Sequence, residues 1–223
     1  MKKKLLQLWK ENQSILFFLC LMFIFRSAVA DWNTVPTGSM KPTIEEGDRI
    51  LVNKMAYDLR VPFTHIPIIN LAEPLRGDIV TFDSEALDKT LVKRVVGIPG
   101  DVIEMRNNML WINGNKMTYS PIQSGAHKPS NTDYIDVVEN LSGVEHAIRL
   151  HPQSPSPRSS FLTLQVPKDS IFVMGDNRDN SADSRYIGLI PRREIVGQAK
   201  TVVMSLDYDD YYLPRKERFW HTL

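Results

Sequence analysis

One serine in this chain lies in a short polar turn that is suited to hold a nucleophile. Ser39 follows Gly38, and Pro36 and Pro42 bracket it within the segment Pro36–Thr43. Glycine allows a tight bend, and proline disfavours helix at the residue before it. A serine hydroxyl is a poor nucleophile unless a neighbouring base removes its proton. The turn therefore predicts a reactive serine that needs a base from elsewhere in the chain.

Lys93 is the strongest candidate for that base. It interrupts the β-branched run Thr90–Gly97, and alternation along a strand sends Lys93 and Arg94 to opposite faces. A free lysine, with a pKa of about 10.4, is only about 0.04% neutral at pH 7. Lowering that pKa by about 3 requires about 4 kcal/mol, which burial can supply. The alternative is a solvated lysine on an edge strand.

The other candidate bases have less support. Lys41 is only two residues from Ser39, so the pattern is not the S-x-x-K that aligns serine and lysine on one helical face. Lys41 is therefore expected in solvent. All five histidines fall in segments predicted as loops, insertion or tail, and most are expected to be solvated. They are His65, His127, His146, His151 and His221. A Ser-His-Asp triad is possible but unsupported.

The segment Gly175–Tyr186 is rich in turn-forming and charged residues. A calcium loop is disfavoured because Arg178 and Arg185 stand among the would-be ligands and no glutamate completes an EF-hand spacing. Side chains that can hydrogen-bond one another predict instead a rigid loop that supports another part of the protein.

Composition excludes several classes of function. Lys and Arg number 27 and Asp and Glu 26, which argues against a nucleic-acid-binding protein. The single cysteine, Cys20, excludes intramolecular disulfides and thiolate zinc clusters, and it argues against a cysteine nucleophile. We therefore expect neither a metal site nor a cofactor.

The N-terminus is basic and then apolar, with eleven consecutive apolar residues at Ile15–Phe25. One interpretation is a secretory signal cleaved after Ala28-Val29-Ala30. The other is an uncleaved anchor over Ser14–Ala30, whose 17 residues are at the short limit for crossing a bilayer. Trp9 and Trp32 would then lie at the two interfaces. Both interpretations place the remainder outside the cytoplasm.

The sequence after the N-terminal apolar segment predicts a mainly β fold. Turn-and-strand units are predicted at Asp48–Val52, Arg76–Phe82, Thr90–Gly97, Met109–Met117, Phe161–Val166 and Ser170–Met174. Asn113-Gly114, between apolar positions, predicts a hairpin. Leu59–Leu71 is broken by two prolines, so it is neither a regular helix nor a central strand and either rests on lipid or packs on the core. Residues 120–160 predict an insertion of loops and short strands.

Four segments in this order resemble the bacterial type I signal peptidases (leader peptidases), which are membrane-anchored serine endopeptidases with a Ser-Lys dyad. They are P-x-G-S-M-x-P-T at 36–43, R-G-D-I-V at 76–80, K-R-V-V-G-x-P-G-D at 93–101 and G-D-N-R-D-N-S-x-D-S-R at 175–185. Together they frame nearly the whole soluble part. The resemblance implies a mainly β fold: an antiparallel β-sheet catalytic domain with a smaller β/loop insertion, preceded by one N-terminal transmembrane helix.

The resemblance also implies a role for each matched residue. Ser39 would be the nucleophile and Lys93 the general base, and the Ser39 N–H with the Thr37 hydroxyl would form the oxyanion hole. Thr37 stands where relatives often have serine, so that contact must accommodate an added methyl group. Ser181 would orient the Lys93 amine, and Asp183 paired with Arg185 would hold the loop. Shallow pockets for small side chains would be lined by Val35, Pro36, Met40, Ile44 and Val92.

The activity implied is removal of signal peptides from secreted preproteins after small-x-small sites. The implied location is the bacterial inner membrane, single-pass, with a cytoplasmic N-terminus, a periplasmic catalytic domain, and the bilayer and export machinery as partners. The uncleaved anchor is then favoured, with Ala28-Val29-Ala30 as a site of self-cleavage. The expected division is 1–13 cytoplasmic, 14–30 anchor, 31–105 with 161–210 catalytic, 106–160 inserted and 211–223 tail.

Two other functions remain open. The first is a Ser-Lys peptidase with a narrower client, such as a pilin-maturation enzyme of conjugation. The second is a membrane-anchored β-domain that binds peptides without cutting them. Loss of cleavage in a Lys93→Ala variant that still folds and binds would reject the second.

Overall fold

The computed structural model describes residues 2–64, 66–122 and 133–223, without the side chains of residues 2–8, 10 and 11. The helices are α1 (Lys2–Ala28) and α2 (Ser184–Ile187). The strands are β1 (Ala30–Thr34), β2 (Asp48–Asn53), β3 (Asp58–Arg60), β4 (Pro67–Asn70), β5 (Ile79–Ser84), β6 (Lys89–Gly97), β7 (Val102–Arg106), β8 (Met109–Ile112), β9 (Asn115–Lys116), β10 (Thr118–Pro121), β11 (Ile135–Leu141), β12 (Val144–Leu150), β13 (Phe161–Gln165), β14 (Ser170–Met174), β15 (Ile190–Pro191), β16 (Ile195–Asp207), β17 (Leu213–Pro214) and β18 (His221–Thr222).

One large antiparallel sheet organises the described part of the chain. Its strands run in the order β1-β2-β16-β5-β6-β14-β15, and β17 and β18 also pair with β16. Smaller sheets are formed by β10-β11-β12, by β13-β7-β8-β9 and by β3-β4. The predicted mainly antiparallel β fold is confirmed.

The strands predicted from apolar runs are present, and the Asn-Gly hairpin is confirmed. Asn113 and Gly114 join β8 to β9 with φ angles of 52° and 78°. These left-handed values are what a two-residue type I′ turn requires, and asparagine and glycine adopt them at the lowest cost.

The core lies on both faces of the large sheet. In β2 the side chains of Asp48, Ile50 and Val52 are buried and alternate with partly buried residues, as expected for one covered face. In β6 the last five residues are all buried, because apolar clusters cover both faces at this point. Lys93 begins that buried stretch, so its ammonium group is drawn into the interior.

The N-terminal helix ends before the predicted anchor does. α1 stops at Ala28, whereas the anchor was expected to reach Ala30, which is the first residue of β1. Apolar side chains of α1 are exposed, with Phe17 at 71%. In the described ranges, no helix has an apolar stretch long enough to qualify as a membrane span.

Residues 120–160, predicted as loops and short strands, contain a regular hairpin. β11 and β12 are seven residues each and form a hairpin that pairs with β10. The expectation of short strands is wrong for this hairpin, because alternation buries Glu139 and Leu141 on one strand and His146, Ile148 and Leu150 on the other. Residues 123–132 of the predicted insertion lie outside the described ranges. β7, which precedes the insertion, pairs with β13, which follows it.

The proline-broken segment Leu59–Leu71 is neither a helix nor a central strand, as predicted. It forms the separate β3-β4 hairpin, and β4 is exposed throughout. Phe63 in its turn is 70% exposed. Its apolar side chains therefore project from the sheet instead of packing on the core.

Candidate active site

Ser39 lies in a single 3₁₀ turn, Gly38–Met40, that follows the extended residue Thr37. The Lys41 N–H donates to the Gly38 carbonyl at 3.1 Å, and Met40 is 1% exposed. A Cβ at Gly38 would lie 3.1 Å from the Glu46 carboxylate and 3.2 Å from the Lys41 side chain, both of which are flexible ends. The turn thus fixes a half-buried serine next to a buried methionine.

The fold brings Lys93 against Ser39, 54 positions apart in the sequence. The Lys93 Nζ lies 2.8 Å from the Ser39 Oγ and donates to the Val92 carbonyl at 2.9 Å. Lys93 is 3% exposed and pairs with Val80 of the neighbouring strand β5. A neutral amine in this position can accept the serine proton directly.

Burial makes the neutral amine accessible near physiological pH. Desolvation lowers the pKa of Lys93 from 10.5 to about 8, although the carboxylates of Asp183 and Asp176 oppose this change. Around the dyad, Lys93 is therefore the group whose proton affinity suits a general base.

Lys41, the nearer lysine, pairs with the Glu46 carboxylate at 3.3 Å, and its side chain is 31% exposed. It is therefore partly solvated, close to the expectation of a solvent position.

The segment Gly175–Tyr186 is the networked loop that was predicted. Asp183 accepts hydrogen bonds from the Arg185 guanidinium at 2.8 Å and from the Gly175 N–H at 3.0 Å. Burial would raise the pKa of Asp183, but the hydrogen bonds from Arg185 outweigh it and hold the pKa below its usual value. The Asp183 carboxylate therefore stays ionised and links the two ends of the loop, Gly175 and Arg185.

Ser181 does not contact Lys93 in the expected way. Its Oγ atom is buried and makes no hydrogen bond to the Lys93 amine, which bonds to Val92 instead. The Ser181 hydroxyl lies near Asp183 and contributes to lowering the pKa of that carboxylate.

A second buried cluster lies on the far side of the same loop. The Asp176 carboxylate accepts bidentate hydrogen bonds from Arg94 at 2.7 and 2.8 Å and one from the Thr43 hydroxyl at 2.5 Å. The next arginine, Arg178, is 1% exposed and forms a bidentate ion pair with Glu139. Sequence reasoning missed this second pair, because the polar composition around Glu139 gave no sign of burial.

The expectation that the histidines are mostly solvated is wrong for His146. Its side chain is 4% exposed, with Nε2 at 3.4 Å from Glu139 and 3.8 Å from Asp176. Burial lowers the pKa of His146 to about 4, so the ring is neutral at pH 7. No described hydrogen bond joins it to Ser39. His65 and His127 lie outside the described residues.

A cleft of about 610 Å³ opens beside the dyad. Its lining includes Ser39, Lys93 and Thr37 together with the predicted Val35, Pro36, Met40 and Val92. Ile44 does not line the cleft and is 0% exposed in the core beneath it. The prediction that Ile44 contacts substrate directly is therefore not supported by this geometry.

Two strand segments that were not predicted to contact substrate also form the cleft walls. They are Trp32–Thr34 of β1 and Lys89–Leu91 of β6. β1 is the first strand of the large sheet's order, so its outer edge has no partner strand in that order. An exposed strand edge can accept the backbone of an extended peptide.

The residues that the structure describes include no cluster of His, Cys, Asp and Glu able to hold a metal ion. Ser39 and Lys93 line the cleft, and the loop Gly175–Tyr186 contacts the Ser39 turn through Asn177.

The chain is similar to several known proteins. A family model described as signal peptidase, peptidase S26 matches residues 8–204. Signal peptidase I of Pseudomonas fluorescens is 35% identical over 201 residues, which cover 84% of this chain and 69% of that protein. Signal peptidase I P of Bacillus subtilis subsp. natto is 34% identical over 196 residues, which cover 87% and 88%. A crystal structure of a signal peptidase I from Enterococcus faecalis V583 matches 58% of this chain and 98% of its own at 27% identity, with a TM-score of 0.37.

Proposed function

The chain belongs to the type I signal peptidases of peptidase family S26, and we propose that in this serine endopeptidase Ser39 is the nucleophile and Lys93 the general base. The observation that carries the proposal is the 2.8 Å contact, in the wall of the cleft, between the Nζ of the buried Lys93 and the Ser39 Oγ. The substrates are preproteins that carry signal peptides. Cleavage proceeds through a covalent acyl-enzyme.

In the first step the neutral Lys93 amine removes the Ser39 proton while Oγ attacks the scissile carbonyl. The new ammonium is disfavoured by burial, so it readily returns its proton to the leaving amine. A water molecule then attacks the acyl-enzyme, with Lys93 again taking the proton. As this second tetrahedral intermediate collapses, the Lys93 ammonium returns the proton to the Ser39 Oγ, which releases the signal peptide and restores the neutral amine.

The oxyanion of the tetrahedral intermediate is bound by the Ser39 N–H and the Thr37 hydroxyl. The first amide groups of a helical turn have no acceptor within it, and Ser39 is the second residue of its turn. The Thr37 side chain does not cap the turn, which leaves its hydroxyl for substrate. Hydrogen-bond donors that point at the developing negative charge are usually the largest single contribution to the rate enhancement of an enzyme of this kind.

The supporting residues act through the loop behind the dyad. Asp183 and Arg185 hold the loop by their buried ion pair. Ser181 orients the Lys93 amine by bonding to it in place of the Val92 carbonyl, while the contact of the amine with Ser39 is kept. None of the three needs to touch the scissile bond.

Selectivity for small side chains comes from the shallow apolar floor of the cleft. Val35, Pro36, Met40 and Val92 line the cleft, and Ile44 belongs to the same buried apolar cluster as Met40 and Val35. One methylene changes binding by only about 1–3 kcal/mol, so pocket fit alone discriminates weakly. Placement at the membrane surface supplies the remaining selection.

We also propose that the N-terminal helix anchors the enzyme in the bacterial inner membrane, with residues 1–13 cytoplasmic and the catalytic domain outside. The exposed apolar side chains of α1 support this, as do two exposed tryptophans, Trp9 within α1 and Trp32 in the strand that follows it. The bilayer and the export machinery are then partners. Self-cleavage after Ala30 would require β1 to leave the sheet, because Ala30 pairs with Asn53.

The test is cleavage of purified preproteins that differ only at the residue before the scissile bond. We expect cutting after alanine, and a loss of at least about tenfold when leucine replaces it, because the cleft floor is shallow. Failure to cut any preprotein would contradict the proposed function. Cleavage of one client among many would favour the narrower peptidase instead.

A further inference from the structure

The inserted sheet is bonded to the loop behind Ser39 through its last strand, β12. The Arg149 N–H donates to the Asp176 carbonyl at 2.8 Å, and the Arg178 N–H donates to the Arg149 carbonyl at 3.0 Å. These bonds form a parallel bridge between Arg149 and Asn177. The Thr43 hydroxyl also lies 3.4 Å from the Ala147 carbonyl of β12. The insertion therefore holds the loop on both sides of Asn177.

Asn177 in turn contacts the backbone on both sides of the nucleophile. Its N–H donates to the Ser39 carbonyl at 3.1 Å, and its Nδ2 donates to the Gly38 carbonyl at 3.0 Å. Because a peptide group is planar, fixing the Gly38 carbonyl also fixes the direction of the Ser39 N–H. That N–H is the proposed oxyanion donor, so Asn177 fixes the direction in which this donor points.

The next residue along the loop, Arg178, is anchored in the insertion. Its guanidinium forms the bidentate pair with the Glu139 carboxylate of β11, with one bond at 2.7 Å. The Tyr119 hydroxyl of β10 donates to the same carboxylate at 2.7 Å. Glu139 is 0% exposed. Buried ion pairs often add little net stability, and their best-attested use is to select one arrangement.

We propose that the inserted sheet positions the oxyanion hole, with Glu139 and Arg178 as a positioning pair that fixes Asn177 against the Gly38–Ser39 peptide. The inference rests on the proposed function, because it assigns the Ser39 N–H a role in transition-state binding. An interaction that acts only on the transition state changes kcat and leaves KM unchanged.

The first variant is Glu139→Gln, which keeps the shape of the side chain and removes its charge. We expect kcat for a preprotein to fall about tenfold or more, with KM within about twofold, because a displaced oxyanion donor weakens transition-state binding. The matched control is Asp136→Asn on the same strand. Asp136 also pairs bidentately with an arginine, Arg149, but the Arg149 side chain is partly exposed, and the bridge from Arg149 to the loop is made by its backbone, which the substitution leaves in place.

The second variant, Glu139→Leu with Arg178→Met, removes both charges and leaves no unpaired one, so it protects the test against misfolding. The pH dependence of kcat/KM should keep its inflection near that of the wild type, because Lys93 is untouched. A wild-type kcat in either folded variant, or an equal loss in Asp136→Asn, would overturn the positioning role. If the wild-type enzyme itself cleaves no preprotein, that result would instead count against the proposed function.

Discussion

Ser39→Ala, Lys93→Met and the double variant are each expected to cleave a preprotein at least about 10⁴-fold more slowly than the wild type, and by similar factors. The two side chains act as one unit, since a hydroxyl without its base and a base without its hydroxyl are equally inactive. The 2.8 Å contact between Nζ and Oγ is the structural basis of this unit. The measurement is kcat/KM for the four proteins on one preprotein at pH 9.

Stability provides the control for Lys93→Met. The pKa of Lys93 is about 8 in the folded protein and 10.5 when unperturbed, so below pH 8 folding must bury an ammonium group. That difference costs about 3 kcal/mol, and the cost disappears as pH rises from 8 to about 10.5. At pH 7, Lys93→Met should therefore unfold at a higher denaturant concentration than the wild type. Losses that multiply in the double variant would show that the two residues act independently.

Gly175→Ala is expected to reduce kcat by about 100-fold or more, because displacing a reacting group by about 1 Å has an effect of that size. A Cβ at this position would lie 2.4 Å from the Ser39 carbonyl oxygen and 2.3 Å from the Ser181 Oγ. The Ser39 oxygen belongs to the backbone, so the nucleophile turn itself must move. Steady-state kinetics on a preprotein measures the effect.

Gly97→Ala is the matched control for crowding. Its Cβ would lie 2.0 Å from the Cδ1 of Ile103, which is the end of a flexible side chain that can rotate away. Both substitutions should cost about 1–3 kcal/mol in the free energy of unfolding, as overpacking does. Only Gly175→Ala should lose activity. Similar kinetics in the two variants would contradict the close approach of Gly175 to Ser39.

The dyad was predictable because each half carries a local signal. Ser39 stands between two prolines, and Lys93 is a charge inside an apolar β-run. The two residues are 54 positions apart in the sequence, and their contact requires that β6 lies beside the Ser39 turn. Neither segment alone indicates that the two residues are neighbours in the fold. The contact between them was therefore predicted only from the resemblance to a family.

The buried polar cluster of the insertion was not predictable for a physical reason. Glu139 and His146 occupy inward positions of strands whose other buried residues, such as Leu141 and Ile148, are apolar. A polar residue at such a position interrupts the hydrophobic alternation, so the pattern gives no sign that it is buried. Their burial follows from Arg178, which neutralises Glu139 from another part of the chain. The cleft wall at Trp32–Thr34 was missed because that strand follows directly on the apolar helix.

The pH dependence of kcat/KM tests the central claim, that Lys93 is a neutral amine beside Ser39, most directly. This quantity reports the essential base of the free enzyme. With the pKa of Lys93 at about 8, kcat/KM should rise tenfold per pH unit from pH 6 and become level above about pH 8. An inflection near 6.5 would assign the base to a histidine, and a rise that continues beyond pH 10 would show an ordinary, solvated lysine. Either result would contradict the mechanism.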